Sequence, residues 1–207
     1  RNLIKNKNTL FIPMQFFPES TIDYWANDIE MIEYEKMLLL FIKKFVPHFK
    51  VIIKEHPGAL GYRKPSFYRK IKKISRDITF IPTNVPADKC INNSDLIFVW
   101  TGSVGFESAL RGKPVITTCI PYYSFGQNFK KVDLNTSISS IKKFMKSEYF
   151  TDFKENDQYL LAKNLLKYIA PGRFLNFGNF NPQNFEHVNN TKKVADILRK
   201  LYFKKIS

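Results

Sequence analysis

Leu96-Ile97-Phe98-Val99-Trp100-Thr101-Gly102-Ser103-Val104-Gly105-Phe106-Glu107-Ser108-Ala109-Leu110-Arg111-Gly112-Lys113-Pro114-Val115-Ile116 reads as a strand, a tight turn, a helix and a second strand. Leu96 to Trp100 is an unbroken apolar run, as found where both faces of a parallel sheet are covered. Thr101, Gly102 and Ser103 carry little bulk and Gly105 follows closely, so backbone amides at the helix start can approach an anion. Glu107 lies about one turn into the helix, where a carboxylate can reach past a phosphate to ribose hydroxyls. Gly112-Lys113-Pro114 ends the helix, and Val115 opens the next strand. The three-glycine dinucleotide fingerprint is absent, as is the Gly-Lys-Ser/Thr of an ATPase phosphate loop. The stretch predicts a nucleotide-binding strand–turn–helix–strand unit of another kind.

Outward from it, strands and helices alternate. Thr9–Pro13 reads as a first strand, and Asn27 or Asp28 as the cap of a helix running to about Phe45. That helix places Ile29, Ile32, Met37, Leu40 and Phe41 on or near its apolar face. Val51–Lys54 is a second strand, Phe67–Ser75 a basic helix, Ile78–Ile81 a third strand and Pro86–Asn92 a short helix. Leu96–Trp100 and Val115–Thr118 are the fourth and fifth strands. The pattern predicts an α/β fold over residues 1–132, a Rossmann-like doubly wound parallel sheet with helices on both faces. Ligands gather at the carboxyl ends of such strands, where the loops around Gln15, His56, Pro82–Pro86, Thr101 and Cys119–Gly126 all fall. Residues 133–207 are expected to form a mainly helical extension packing on the core. Its helices lie near Ser137–Ser147, Gln158–Ile169 and Thr191–Phe203, with an aromatic, Asn/Gly-rich loop at Pro171–Asn184.

The chain carries 33 Lys+Arg against 18 Asp+Glu, a net charge of +15, so anionic partners come into question. The basic residues are dispersed and no nucleic-acid motif accompanies them, so nucleic acid is not an expected partner. Solvated helix faces account for most of the charge, with an anionic membrane surface or an acidic glycan as the partner it would fit. No apolar run approaches the roughly 20 residues of a membrane span. Cys90 and Cys119 have neither metal-ligand spacing nor the density of a secreted disulfide framework. A cytoplasmic protein is expected, peripheral on the inner face of the membrane. The chain opens on Arg1 with no initiator Met, so a longer parent protein is also expected.

The second signal is Lys54-Glu55-His56-Pro57. His56 follows an apolar strand, and Pro57 holds it out of helical conformation. An imidazole there can donate a hydrogen bond to a phosphate or, protonated, pair with it.

Together, Phe11-Ile12-Pro13-Met14-Gln15 through Glu19-Ser20, Lys54-Glu55-His56-Pro57, Thr101 to Ile116, and Tyr122-Tyr123 resemble bacterial capsule polysaccharide biosynthesis proteins. These include the transferases that use CMP-linked 3-deoxy-manno-octulosonic acid (CMP-Kdo). The resemblance implies the carboxyl-terminal, donor-binding half of a GT-B glycosyltransferase. It implies that His56, with Lys54 and Pro57, and the turn from Thr101 through Gly102 and Ser103 to Gly105 hold the donor phosphate. His56 is the expected catalytic group. Glu107 then matches a ribose-binding glutamate, and Gln15, Glu19 and Ser20 a loop closing on the donor. It implies the nucleotide sugar as substrate, a glycan or glycolipid acceptor, and a separate amino-terminal GT-B domain; the sequence shows no metal-ligand cluster, so neither a metal nor a cofactor is expected. Transfer of a polyol phosphate from a CDP-linked donor, nucleotide-sugar epimerisation and non-catalytic nucleotide binding remain as competing functions.

Overall fold

A computed structural model describes residues 7–17, 22, 25, 26, 29–166, 183 and 185–204. The expected caps Asn27 and Asp28, the site residues Glu19 and Ser20, and nearly all of the loop expected at 171–184 lie outside the described residues.

Six parallel strands form one sheet: β1 (Thr9–Pro13), β2 (Lys50–Lys54), β3 (Thr79–Ile81), β4 (Leu96–Val99), β5 (Val115–Thr117) and β6 (Phe129–Lys131). Their order is β3-β2-β1-β4-β5-β6. The helices are α1 (Tyr34–Phe45), α2 (Pro65–Ile74), α3 (Ala87–Asn92), α4 (Val104–Ala109), α5 (Ile138–Met145), α6 (Glu148–Thr151), α7 (Glu155–Leu166) and α8 (Phe185–Lys204).

Alternation along the strands divides the core in two. Leu10, Ile12, Ile53, Phe98 and Trp100 face the side covered by α1, α2 and α5. Phe11, Ile52, Ile97 and Val99 face the side covered by α3, α4 and Leu161 of α7. The rings of Phe41, Phe45, Phe98 and Trp100 interlock, with centroids 5.0 Å apart for Phe41–Phe98 and 5.2 Å for Phe98–Trp100. Burying each such ring contributes about 1.5–3 kcal/mol, so this cluster anchors α1 to the middle of the sheet.

Several elements depart from the sequence expectations. The helix expected up to Phe45 is broken into a 3-10 turn, Ile29–Ile32, and α1. Within the 3-10 turn Met31 gives its carbonyl to the Trp100 indole N–H at 3.2 Å. The buried face of α1 is Tyr34, Met37, Leu38, Phe41, Ile42 and Phe45. Ile29, Ile32 and Leu40 are exposed. The sixth strand was not expected because Phe129-Lys130-Lys131 has no apolar run. At a sheet edge, lysines are tolerated and discourage further pairing. The terminal helix begins at Phe185, ahead of the expected Thr191. Contacts divide the chain into one unit ending at Leu161 and another beginning at Ala162. The first extends past residue 132 because Ile141 and Leu161 are buried in the two cores.

Among the described residues, no helix is long and apolar enough to cross a membrane.

Gly105 is buried in α4, where an added Cβ would lie 2.8 Å from Tyr123 Oη and 2.9 Å from Val99 Cγ2. Gly105→Ala is therefore expected to destabilise the protein by about 1–3 kcal/mol through overpacking. Urea unfolding of the two proteins measures the difference.

Candidate functional site

In a sheet of this order the chain leaves β1 and β4 in opposite directions, and a crevice opens between their carboxyl ends. A cleft of about 510 Å³ lies there. Gln15, Lys54, His56, Pro57, Thr101, Gly102 and Ser103 all line it, so the chain brings together seven of the residues expected from sequence. The sequence reading named no residue of its far wall at Thr83, Asn84 and Val85 or of its aromatic rim at Phe16, and it quoted Tyr122, which forms another rim, without giving it a role. The expected position of ligand loops on a doubly wound sheet pointed to the Pro82–Pro86 segment, but no motif singled out Thr83, Asn84 or Val85.

Gln15 holds the crevice at a fixed width. Its side-chain carbonyl accepts the Thr101 amide at 3.0 Å, and its Nε2 donates to the Thr101 hydroxyl. This reciprocal pair joins the end of β1 to the end of β4. Across the other side, the Met14 amide donates to the Lys54 carbonyl at 2.8 Å, extending the β1–β2 ladder. Gln15 is itself buried, so its first role is to position Thr101.

Lys54 is only 6% exposed, and its side chain makes no hydrogen bond or ion pair with any described residue. No fully buried side-chain nitrogen lacks a partner among the described residues, so its ammonium keeps contact with solvent in the cleft. His56 is exposed, and its Nδ1 accepts the Gly58 amide at 3.1 Å. In the neutral ring this puts the proton on Nε2, leaving a donor on the outer edge. Pro57 starts the 3-10 turn that the imidazole caps.

Behind His56 lies a buried polar network. Glu55 accepts the His56 amide on Oε1 at 2.8 Å. Its Oε2 accepts Arg63 Nε at 2.8 Å and the Tyr68 hydroxyl at 2.7 Å. Arg63 also donates to Glu35 at 3.0 Å and to the Gln15 carbonyl. Burial works against the Arg63 charge, but Tyr34, Glu55 and Glu35 outweigh it and raise the guanidinium pKa. Burial pushes the Tyr34 phenol well above its ordinary value. Burial and the bond to Glu55 together push Tyr68 up to about 12.

At the β4–α4 turn, the Gly102 carbonyl accepts the Tyr123 hydroxyl at 2.6 Å and the Gly105 amide at 3.0 Å. A trans peptide then aims the Ser103 N–H the opposite way. A Cβ at Gly102 would meet no protein atom within 4 Å. Gly105 does not line the cleft and leaves room for the buried Tyr123. Glu107 is also off the cleft wall, accepting the Ser103 hydroxyl at 3.1 Å.

A family profile for capsule polysaccharide biosynthesis proteins matches residues 1–127. The chain belongs to that family. It is 24% identical over 116 residues to the capsule polysaccharide modification protein LipA of Neisseria meningitidis serogroup B. That match takes in 56% of this chain and 16% of LipA. Its fold resembles a glycosyltransferase from Rickettsia africae, with a TM-score of 0.52 at 14% identity over 79% of this chain and 46% of that one. It also resembles Anabaena HepE in complex with UDP-glucose, with a TM-score of 0.52 at 12% identity, covering 78% and 46%. The chain thus spans about half of each of these two solved chains and a sixth of LipA, and its fold is that of one Rossmann-like half of a GT-B protein.

The half-buried Tyr68 makes stability depend on alkaline pH. An unfolded tyrosine titrates near pH 10 and folded Tyr68 near 12, so between them the folded state holds the extra proton. Stability from this group is complete below about pH 10 and is lost as pH rises to about 12. In Tyr68→Phe the fall in unfolding free energy across that window should be shallower, as measured by urea titrations at stepped pH.

Proposed function

We propose that this chain is the donor-binding half of a glycosyltransferase that builds capsule or another surface polysaccharide. The donor is a nucleotide-activated sugar, CMP-linked such as CMP-Kdo, and the acceptor is a growing glycan or glycolipid. The observation that carries the proposal is Lys54, a nearly buried cation with no counter-ion among the described residues, opening on the sheet's crevice. A buried charge is costly without a partner. A phosphate supplied by the ligand would complete the site.

In this reading the Lys54 ammonium, the His56 Nε2–H and the Ser103 amide hold the phosphate. As the glycosidic bond to the donor breaks, negative charge grows on the departing phosphate oxygen, and these groups stabilise it without reorganising. Lys54 supplies charge, while His56 acts as the catalytic donor closest to that oxygen. Gly102 lets the phosphate approach the backbone. Gln15 and Thr101 hold the turn, with Pro57 fixing the histidine loop. Glu107, displaced from the wall, is assigned to the ribose only if the Ser103 side chain turns away from it. The acceptor side belongs to an amino-terminal GT-B domain, so turnover requires that partner.

Calorimetric titration with CMP, CDP, UDP and GDP tests the donor assignment, with CMP expected to bind most tightly. His56→Ala and Lys54→Gln should each weaken CMP by about 1.5–3 kcal/mol, the value of a hydrogen bond to a charged group. Gly102→Ala should weaken it while leaving stability unchanged or slightly raised, because the unfolded chain loses freedom. Folded variants with parental CMP affinity would remove these residues from the site.

The positive charge fits attachment to an anionic membrane on the cytoplasmic face. Sedimentation with phosphatidylglycerol vesicles should exceed that with phosphatidylcholine vesicles. It should fall as salt shortens screening towards about 8 Å. Equal recovery with both lipids would reject the attachment.

A further inference from the structure

We infer that Arg63 is the positioning residue that couples the two arms of the cleft, acting on His56 through Glu55 and on the Thr101 turn through Gln15. The inference rests on the donor-binding reading for its consequence and on geometry alone for the coupling.

The guanidinium is 2% exposed and reaches three elements at once. Its Nε meets Glu55 at 2.8 Å, just beyond β2. One terminal nitrogen donates to the Gln15 carbonyl beyond β1, and the other meets Glu35 of α1 at 3.0 Å. The ring centroids of Tyr34 and Phe67 lie 5.4 Å and 5.8 Å from its central carbon. Each arm then continues to the cleft by one further link. Glu55 accepts the His56 backbone amide at 2.8 Å. The Gln15 side chain exchanges two hydrogen bonds with Thr101.

Arginine suits this place for a reason lysine cannot match. Its donors lie in one plane at fixed directions, so the distance between Glu55 and the Gln15 carbonyl is set by a rigid spacer. A lysine keeps the charge but offers a single point that cannot hold both arms. A core ion pair without this role would stabilise the fold and leave the two arms independent. Coupling makes a stronger demand: a change at Arg63 must move both arms together, and its effect on binding must pass through them.

The test uses the whole chain and Arg63→Lys. In the ligand-free protein, nuclear magnetic resonance reads the His56 ring and the Thr101 amide, and both signals are expected to shift. CMP affinity, read by calorimetry, is expected to fall roughly tenfold. In a His56→Ala background the same substitution should cost clearly less, the non-additivity expected of residues acting in one network. Should Arg63→Lys fail to fold, Glu55→Gln retains the side-chain shape while weakening the charge-assisted link, and it should shift His56 more than Thr101. A folded variant in which either arm stays unmoved overturns the coupling, as does an equal CMP loss with and without His56. A parent protein that binds no CMP defeats the donor reading alone, because the paired resonance shifts still decide the role of Arg63.

Discussion

The structure depends on the parting of β1 and β4. These are neighbouring parallel strands whose chains leave on opposite faces of the sheet, so no connection fills the space between their carboxyl ends. Such a gap would expose backbone polar groups or collapse under the apolar load beneath it. Gln15 resolves this with one side chain, giving the Thr101 amide an acceptor and the Thr101 hydroxyl a donor. The aromatic cluster around Trp100 supports the same point from below, and Tyr123 supports the turn that follows. The cleft keeps its shape because polar groups on both sides are already satisfied.

The distribution of charge around this gap is uneven. Arg63 and Glu55 are both buried, but each has several partners, and neither is left to face an apolar wall alone. Their net contribution to stability is small, since desolvation offsets most of the attraction. What the network supplies is direction, because each donor admits few arrangements. Among the described residues, the Lys54 side chain has no such compensation. Its neighbours along β2 are Ile52 and Ile53, and the end of the strand leaves its ammonium only the cleft. The contrast between that satisfied network and an ammonium turned to solvent in the cleft sets Lys54 apart from the scaffold.

The legibility of these features in the sequence follows from their physics. Leu96–Trp100 was readable because a strand covered on both faces must be apolar throughout, and β6 was not because an edge strand carries no such demand. His56 was readable because Pro57 isolates it at a strand end. Arg63 was not: Gly61-Tyr62-Arg63-Lys64-Pro65 reads as a solvated basic loop. Only the approach of Glu35, Glu55 and Gln15 from distant positions turns that arginine inward. Gly105 was legible as a small residue at a helix start, yet the space it leaves is taken by Tyr123. Small side chains in a turn mark close approach without saying what approaches.

A half-molecule of this kind separates binding from turnover. The groups proposed to hold the phosphate come from two strand ends of one sheet, so their geometry needs no second domain. Rate acceleration has a different requirement, because the acceptor must be held in line with the donor carbon and water excluded from the gap between them. A cleft open along the carboxyl edge of the sheet can meet the first condition and not the second. Under the donor-binding proposal, affinity belongs to the residues lining this cleft, while the rate of transfer belongs to the acceptor-side domain proposed above.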